Sequence, residues 1–211
     1  SAKVTDATDL IVGIGSGVIN DLCKIVSFNH KLPYYIVATA PSMDGFASYS
    51  SPIVDGGFKL SYPAKTPEVI IGDTRILADA PTELKSAGFG DMIAKYVGLI
   101  DWRVSHILTG EVWCEKVARL TREATDELFA MADLVTSRDE ATAGKIFESL
   151  LKTGIGMSFM QNSRPASGSE HIVAHLIECI ELQDGIIPNY HGEDIGVAQV
   201  LQLLQQTALS L

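Results

Sequence analysis

Asp9-Leu-Ile-Val-Gly-Ile-Gly-Ser-Gly17 joins a short apolar run to a glycine-rich turn, and residues 18–28 then repeat apolar side chains at helical spacing. A buried strand that enters a glycine turn and continues into a helix is a building unit of an α/β sheet. Glycines let the backbone approach a ligand, and the N-terminus of the following helix offers free amides to a phosphate group. Because glycines are also common in tight turns that bind nothing, both interpretations stay open here.

The rest of the chain divides into two patterns. Residues 34–38 and 68–72 are short apolar runs typical of buried strands, and residues 50–61 have the pattern of a hairpin around Asp55-Gly-Gly57. After Pro81 the apolar spacing becomes helical. We therefore predict an α/β part over residues 1–80 and an all-α helical part over residues 81–211. The helical segments are expected at residues 83–107, 111–132, 139–159, 170–182 and 192–211.

Composition excludes several classes of protein. The 211 residues are 46% hydrophobic, which is enough to bury a sizeable core in one or two domains. A formal net charge of −10 argues against a nucleic-acid-binding surface, because phosphate backbones attract a basic footprint. The sequence contains no apolar run of the length of a membrane span. The three cysteines lie far apart without metal-binding spacing, so we expect reduced thiols and a cytoplasmic protein.

Three histidines form the clearest chemical pattern. Ser167 and Glu170 have the spacing of a capping box, so a helix is expected to begin near Gly168 and to place His171 and His175 on one face. His191 follows some sixteen residues after His175. Imidazoles arranged in this way, together with a carboxylate, are typical of a catalytic metal site. The alternative is a capped helix that carries ordinary histidines.

Two more segments offer polar side chains. Ala87-Gly-Phe-Gly-Asp91 is expected to form a glycine turn that leads into a helix at Asp91, which provides a carboxylate for the histidines. Thr39, Ser42 and Asp44 follow the second strand at its carboxyl end, where open α/β sheets bind ligands. The alternatives are an ordinary helix N-terminus and a polar loop.

Four motifs taken together resemble the glycerol-1-phosphate dehydrogenases. These enzymes belong to the superfamily of metal-dependent alcohol and glycerol dehydrogenases and dehydroquinate synthases. The resemblance covers nearly the whole chain, and Arg164-Pro-Ala-Ser-Gly-Ser-Glu-His171 is its most specific part. The motifs are Gly15-Ser-Gly-x-x-Asn-Asp-x-x-Lys24, Thr39-Ala-Pro-Ser-Met-Asp-Gly45, Ala87-Gly-Phe-Gly-Asp91 and Ser163-Arg-Pro-Ala-Ser-Gly-Ser-Glu-His171.

The resemblance implies a role for particular positions of this chain. It implies that residues 1–80 are an incomplete Rossmann-like dinucleotide-binding domain and that residues 81–211 bind metal and substrate. The metal ligands would be Asp91, His171 and His191, with zinc the first choice and nickel possible. His175 and Asp44 would lie near the substrate hydroxyls, where either could relay a proton to the ketone oxygen of the substrate. Arg164 and Lys95 are our candidates for the cations that bind the substrate phosphate. The NAD or NADP cofactor would lie against Gly15, Ser16, Gly17, Asn20, Asp21, Thr39 and Ser42.

The activity that the resemblance implies is the NAD(P)-dependent reduction of dihydroxyacetone phosphate to sn-glycerol 1-phosphate, in phospholipid or ether-lipid synthesis. The partners implied are a small phosphorylated ketone or polyol, no nucleic acid and no membrane span. The region of the family that holds the adenosine half of the cofactor is not found ahead of Gly13, and the last helix at residues 197–211 has no cap. The chain is therefore expected to be the middle of a larger protein and to expose apolar surface that a homo-oligomer would cover.

Three other functions remain as alternatives. A lyase of the dehydroquinate synthase type shares the cofactor loop, but that branch uses glutamate at the position of Asp91. A glycerol dehydrogenase would act on the unphosphorylated polyol and would not need Arg164 or Lys95. A truncated chain that binds metal or a partner without turnover is the third.

Overall fold

The computed structural model describes residues 3–56 and 58–209. The α/β pattern followed by helices is confirmed. The strands are β1 (Ile11–Gly15), β2 (Tyr34–Ala38), β3 (Ser50–Asp55), β4 (Phe58–Pro63) and β5 (Val69–Gly72). The helices are α1 (Gly17–His30), α2 (Thr74–Ala78), α3 (Thr82–Ile93), α4 (Lys95–Thr109), α5 (Glu115–Phe129), α6 (Glu140–Met160), α7 (Ser169–Gln183) and α8 (His191–Leu209), with single 3₁₀ turns at Asp44–Ala47 and Ala132–Leu134.

A three-stranded parallel sheet forms the α/β part. Its strand order is β1-β2-β5, and β2 in the centre alternates fully buried and partly exposed residues. Tyr34, Ile36 and Ala38 point into one core, where they pack with Phe46 and Phe147. Since Phe147 belongs to helix α6, the core of the sheet is completed by a helix from the C-terminal half. The carboxyl ends of β1 and β2 meet at the loops that begin with Ser16 and Thr39.

The predicted hairpin is present as an antiparallel pair. Strands β3 and β4 pair in register from Ser50 opposite Pro63 to Asp55 opposite Phe58. Gly56 in the turn has φ +58°, a left-handed conformation that glycine adopts without a steric penalty. Gly57, the other glycine of the predicted turn, lies outside the described residues. The hairpin carries Lys59 to helix α7, more than a hundred residues further along the chain.

The predicted glycine turn before Asp91 is wrong. Gly88 and Gly90 lie inside helix α3, and Asp91 is in its last turns. A Cβ at Gly88 would overlap the carbonyl oxygen of Pro41, and one at Gly90 would overlap the carbonyl oxygen of Gly192. These glycines therefore allow helix α3 to pack closely against neighbouring backbone, and they do not form a turn. Glycine inside a helix lowers the helix propensity of the segment.

Helix α6 connects the two parts of the chain. Gly154 in α6 lies against the 3₁₀ turn Asp44–Ala47, since a Cβ there would come within 2.5 Å of the Asp44 carbonyl oxygen. The same helix packs against α2, α3 and α5. The boundary predicted near residue 80 stays a prediction, because α6 contacts elements on both sides of it.

Large apolar side chains are exposed on helices α6 and α7 and in the segment that joins α7 to α8. Ile187 is 91% exposed, Phe159 78% and Ile172 71%, so the predicted uncovered apolar surface is present. Within the ranges that the structure describes, none of the helices combines the length and the apolar character that crossing a bilayer requires.

Candidate active site

Three imidazoles meet between helices α7 and α8. His171 and His175 lie one turn apart on α7, with ring centroids 6.0 Å apart, as the i, i+4 spacing predicts. His191 is the first residue of α8, and its ring centroid lies 5.6 Å from that of His171 and 5.2 Å from that of His175. Side chains separated by up to twenty residues therefore form one cluster.

The start of helix α7 is confirmed near Gly168, but the predicted capping box is wrong. The N-cap residue is Gly168 and not Ser167, and no side chain of the N-cap position caps the helix. Instead, the Gly168 N–H donates to Glu170 Oε1 at 2.8 Å, and the Ser169 N–H donates to Asp101 Oδ2 at 2.7 Å. Two carboxylates thus satisfy the free amides of the first turn, where negative charge is favourable.

Asp91 lies beside the histidines in a buried network of charges. Its Oδ1 atom lies 3.8 Å from His171 Nε2 and accepts a hydrogen bond from Lys95 Nζ at 2.6 Å. Its Oδ2 atom accepts from the Asp44 N–H at 2.9 Å. Lys95 also forms an ion pair with the Asp44 carboxylate at 2.8 Å, and its side chain is fully buried. One ammonium group is therefore shared by two buried carboxylates.

Burial and neighbouring charges shift the pKa values of the two carboxylates in opposite directions. Burial raises the pKa of Asp44 to about 6, and the neighbouring Asp91 charge adds to this, with Lys95 acting against both. Burial would also raise the pKa of Asp91, but the charged Lys95 outweighs it and holds that pKa well below its usual value. Asp91 is therefore the carboxylate that stays ionised, as a metal ligand must.

The two histidines on helix α7, His171 and His175, are held neutral. Burial is the largest cause of the lowered pKa of His171, and Lys95 adds to it. Burial and the nearby Lys59 lower the pKa of His175 to about 3. Neutral imidazole is the form that binds metal ions, so the environment of the cluster suits that use.

Each of the two predicted histidine ligands has a carboxylate on its Nδ1 atom. His171 Nδ1 lies 2.8 Å from Glu170 Oε1, and His191 Nδ1 lies 2.9 Å from Glu178 Oε1. Among the described residues, one group of three side chains could hold a metal ion by distance alone. It consists of His175, Glu178 and His191, whose nitrogen and carboxylate oxygen atoms lie within 4.8 Å of one another. The structure therefore brings His175 and Glu178 into the cluster together with the predicted ligands.

Two cavities meet at His191. The first, of about 670 Å³, is lined by Asp44, His171, His175 and Arg164. The second, of about 490 Å³, lies over the glycine turn at the N-terminus of α1. Met43, Pro52 and His191 line both cavities, so the two are adjacent. A ligand in one would reach a ligand in the other at the histidine cluster.

The predicted cofactor residues divide into two groups. Ser16, Gly17, Asp21 and Ser42 line the second cavity, and the Ser16 and Ser42 hydroxyls lie 2.6 Å apart. The other three do not line it: the Thr39 N–H donates to the Gly15 carbonyl, and the buried Asn20 side chain donates to the Gly45 carbonyl. Helix α1 has no side-chain cap at Ser16, and its first residues, Gly17 and Val18, line the second cavity.

The two cations predicted for a phosphate group have different surroundings. Arg164 lines the first cavity, where its Nε donates to Glu111 Oε1 at 2.8 Å and a terminal nitrogen lies 3.4 Å from Ser105 Oγ. Lys95 is buried between Asp44 and Asp91, as described above. The geometry thus leaves Arg164 as the one of the two that reaches the cavity.

Sequence reasoning missed three charged residues of the cluster. Glu178 lies three residues after His175 and seven after His171, so helical spacing alone could have placed it on the same face. Glu170 was interpreted only as part of a cap. Lys59 donates to both carboxylate oxygens of Glu178, at 3.0 and 2.7 Å, and no sequence signal connects a hairpin residue with a helix 119 positions away.

Comparison with known proteins finds relatives among the dehydrogenases. Residues 1–81 match the family described as iron-containing alcohol dehydrogenase. The glycerol-1-phosphate dehydrogenase [NAD(P)+] of Halalkalibacterium halodurans is 35% identical over 92% of this chain and 49% of its own length. That of Methanosarcina acetivorans is 37% identical over 96% of this chain and 55% of its own length. The chain resembles the glycerol-1-phosphate dehydrogenases. The predicted resemblance is confirmed, and the chain spans about half the length of these relatives.

Solved structures confirm the fold. The crystal structure of glycerol dehydrogenase from Schizosaccharomyces pombe superimposes with a TM-score of 0.78 at 22% identity, covering 97% of this chain and 53% of that one. At this identity the likeness concerns the fold of the dehydrogenases and not their substrate. The family name over residues 1–81 refers to iron, which differs from the zinc favoured by the sequence analysis.

Proposed function

We propose that this chain supplies the phosphate-binding turn, the metal ligands and the substrate pocket of an NAD(P)-dependent glycerol-1-phosphate dehydrogenase, which reduces dihydroxyacetone phosphate to sn-glycerol 1-phosphate. The observation that carries the proposal is the meeting of two cavities at His191. One is lined by the turn at Ser16, and the other by His171, His175 and Arg164. Hydride transfer requires a cofactor and a ketone to lie side by side, and this arrangement supports that requirement.

The donor set fits a divalent metal ion. We propose Asp91, His171 and His191 as its ligands, with zinc first and nickel or iron as alternatives, since two imidazoles and a carboxylate suit all three. The buried neutral imidazole of His171 and the ionised carboxylate of Asp91 are in the protonation states that binding requires. A bound ion would supply Lewis-acid polarisation of the ketone oxygen.

The α1 N-terminus fits a pyrophosphate group. Its first amides have no side-chain cap, and the positive end of the helix dipole favours an anion there. Ser16 and Ser42 add two hydroxyls to the same wall, and Ser42 belongs to the loop after β2. We propose NAD or NADP in this cavity with its nicotinamide end toward His191, because His191 also lines the substrate cavity.

Asp44 and His175 both line the substrate cavity and are our candidates for moving the proton to the ketone oxygen. The pKa of Asp44 is raised to about 6, whereas that of His175 is lowered to about 3. A proton donor works best with a pKa near the working pH, which favours Asp44. His175 in its neutral form can orient the substrate by hydrogen bonding.

Activity in the full-length protein tests the proposal directly. We expect a metal-stripped preparation to lose, and added zinc, nickel or iron to restore, oxidation of NADH or NADPH with dihydroxyacetone phosphate. Dihydroxyacetone should be a much poorer substrate, because it lacks the charge that Arg164 binds. Equal turnover of dihydroxyacetone would favour a glycerol dehydrogenase. No turnover despite bound metal would contradict the proposal and favour the lyase or a non-catalytic role.

Arg164→Ala should raise the KM for dihydroxyacetone phosphate about 10- to 100-fold, since one charge-assisted contact to a phosphate contributes about 1.5–3 kcal/mol. The KM for dihydroxyacetone should not change. Arg119→Ala is the matched control, because Arg119 is an exposed arginine on helix α5 with only a 3.9 Å ion pair. An unchanged KM for the phosphorylated ketone in Arg164→Ala would contradict the assignment of Arg164.

The cytoplasmic location and the homo-oligomer expected from the sequence remain predictions. Three free cysteines among the described residues support a reducing compartment. The exposed apolar side chains on α7 and α8 support further packing, whether by a second copy or by the rest of the full-length protein.

A further inference from the structure

Two buried glutamates contact the far nitrogens of the histidines that we propose as metal ligands. Glu170 is fully buried, and its Oε1 lies 2.8 Å from His171 Nδ1. Glu178 is 6% exposed, and its Oε1 lies 2.9 Å from His191 Nδ1. Both glutamates are on helix α7, whereas His191 begins helix α8, so the second contact also joins the two helices.

We propose that Glu170 and Glu178 are positioning residues that fix His171 and His191 as Nδ1–H tautomers, which leaves both Nε2 atoms free to bind the metal ion. The proposal rests on the proposed metal site. Outer carboxylates on metal-binding histidines orient the ring and make the ligand nitrogen more basic.

For His171 the argument depends on what Glu170 Oε1 already accepts. That oxygen receives the Gly168 N–H at 2.8 Å, so it acts as an acceptor in the N-terminal turn of α7. A second close nitrogen on the same oxygen must also be a donor, because two lone pairs at 2.8 Å would repel. His171 Nδ1 therefore carries its proton, and the bare Nε2 is the atom that lies 3.8 Å from Asp91 Oδ1.

For His191 two neighbours compete for the same nitrogen. Glu178 Oε1 lies 2.9 Å from Nδ1, and Lys59 Nζ also lies 2.9 Å from it. If Nδ1 accepted from Lys59, its lone pair would face the carboxylate oxygen and the proton would move to Nε2. Lys59 already has both oxygens of Glu178 as acceptors, at 3.0 and 2.7 Å. Either tautomer leaves one close contact of Nδ1 unmatched, since Nδ1–H faces the Lys59 ammonium and bare Nδ1 faces Glu178 Oε1. We assign Nδ1–H donating to Glu178, because Lys59 already has two carboxylate acceptors and does not need the imidazole as a third.

The tautomers can be read directly in the metal-free protein. We would label the histidines of the full-length protein with ¹⁵N, remove metal with a chelator, and record long-range ¹H–¹⁵N spectra at a pH where these rings are neutral. His106 is an internal reference, because its Nδ1 lies 2.7 Å from the Glu111 carbonyl oxygen, which can only accept. His30 is exposed and serves as the solvent reference. Single His→Gln variants assign the signals.

We expect the His171 and His191 signals to show the same protonated Nδ1 and bare Nε2 as His106. A proton on Nε2 of either ring in the wild-type protein would overturn the proposal for that ring. This result does not depend on turnover, so it stays informative if the proposed substrate or activity is wrong. The tautomers are read in the wild-type protein, and the His→Gln variants serve only to assign its signals.

Substitution of the glutamates then tests their role in binding. Glu178→Gln should shift His191 toward the Nε2–H form and weaken zinc binding to the metal-free protein about 10- to 100-fold, as loss of such carboxylates does elsewhere. Glu170→Gln should do the same at His171. Glu181→Gln is the control, since it makes the same change one turn along α7. Unchanged tautomers and unchanged zinc affinity in both glutamate variants would contradict the assignment.

Discussion

Gly192→Ala should destabilise the protein by about 3 kcal/mol or more, and lower its Tm by about 6–12 °C, because the added methyl group has no room. A Cβ at Gly192 would overlap the backbone carbonyl of Ala87 in helix α3. The backbone of a helix cannot rotate away as a side chain can, so α8 would have to move from α3. Urea or thermal unfolding of wild type and variant gives the measurement.

The same substitution should weaken metal binding. Gly192 follows His191 in α8, and Gly90 precedes Asp91 in α3, so the closest approach of the two helices lies beside two proposed ligands. Gly196→Ala is the control, since a Cβ there would lie 3.3 Å from the Gly90 Cα and needs only a small adjustment. Wild-type stability and wild-type metal affinity in Gly192→Ala would show that the helices do not depend on this contact.

Lys95→Met should destabilise the metal-free protein by about 3–5 kcal/mol, because it leaves two buried carboxylates without their shared cation. Lys95 is fully buried, and its Nζ lies 2.8 Å from Asp44 Oδ2 and 2.6 Å from Asp91 Oδ1. A divalent ion bound near Asp91 should offset part of this loss, so the deficit measured by unfolding should be smaller with zinc than without it.

The deficit of Lys95→Met should also shrink at low pH. In the wild type the pKa of Asp91 lies well below its usual 3.8, so the stability it contributes is present above that value and is lost as pH falls through the lower pKa. Without Lys95 the pKa of Asp91 in the folded state rises, and the folded variant takes up a proton as pH falls from about 7 toward about 4. The variant should therefore lose less stability in acid than the wild type does.

Lys85→Met separates this charge effect from simple loss of a buried lysine. Lys85 is 1% exposed, and its Nζ donates to the backbone carbonyls of Ala78 and Ser137 and not to a carboxylate. Its removal should destabilise the fold without rescue by zinc or by acid. If Lys95→Met behaved in the same way as Lys85→Met, the shared ion pair would not be the cause of its effect.

Local sequence patterns predicted the elements well where apolar spacing and turn residues agree. Strand β2 has the predicted bounds Tyr34–Ala38, and the predicted segments after Pro81 are helical, although the first of them, residues 83–107, is divided at Ala94 into α3 and α4. The glycines before Asp91 were misinterpreted, because the sequence alone does not distinguish a glycine in a turn from a glycine at a close contact between helices. The Ser167 cap failed since Asp101 and Glu170 satisfy the amides that Ser167 was expected to bind.

The sequence by itself determined which side chains can do chemistry here: imidazoles at helical spacing, a glycine turn before a helix, and a specific Arg-Pro-Ala-Ser-Gly-Ser-Glu-His motif. Tertiary structure decided which of them meet. Lys59 on the hairpin contacts Glu178 on helix α7. Lys95 is buried between the carboxylates of Asp44 and Asp91 instead of facing the cavity. Spacing along one helix follows from backbone geometry, whereas a contact between distant segments depends on how closely their backbones pack, and that is set by the whole core.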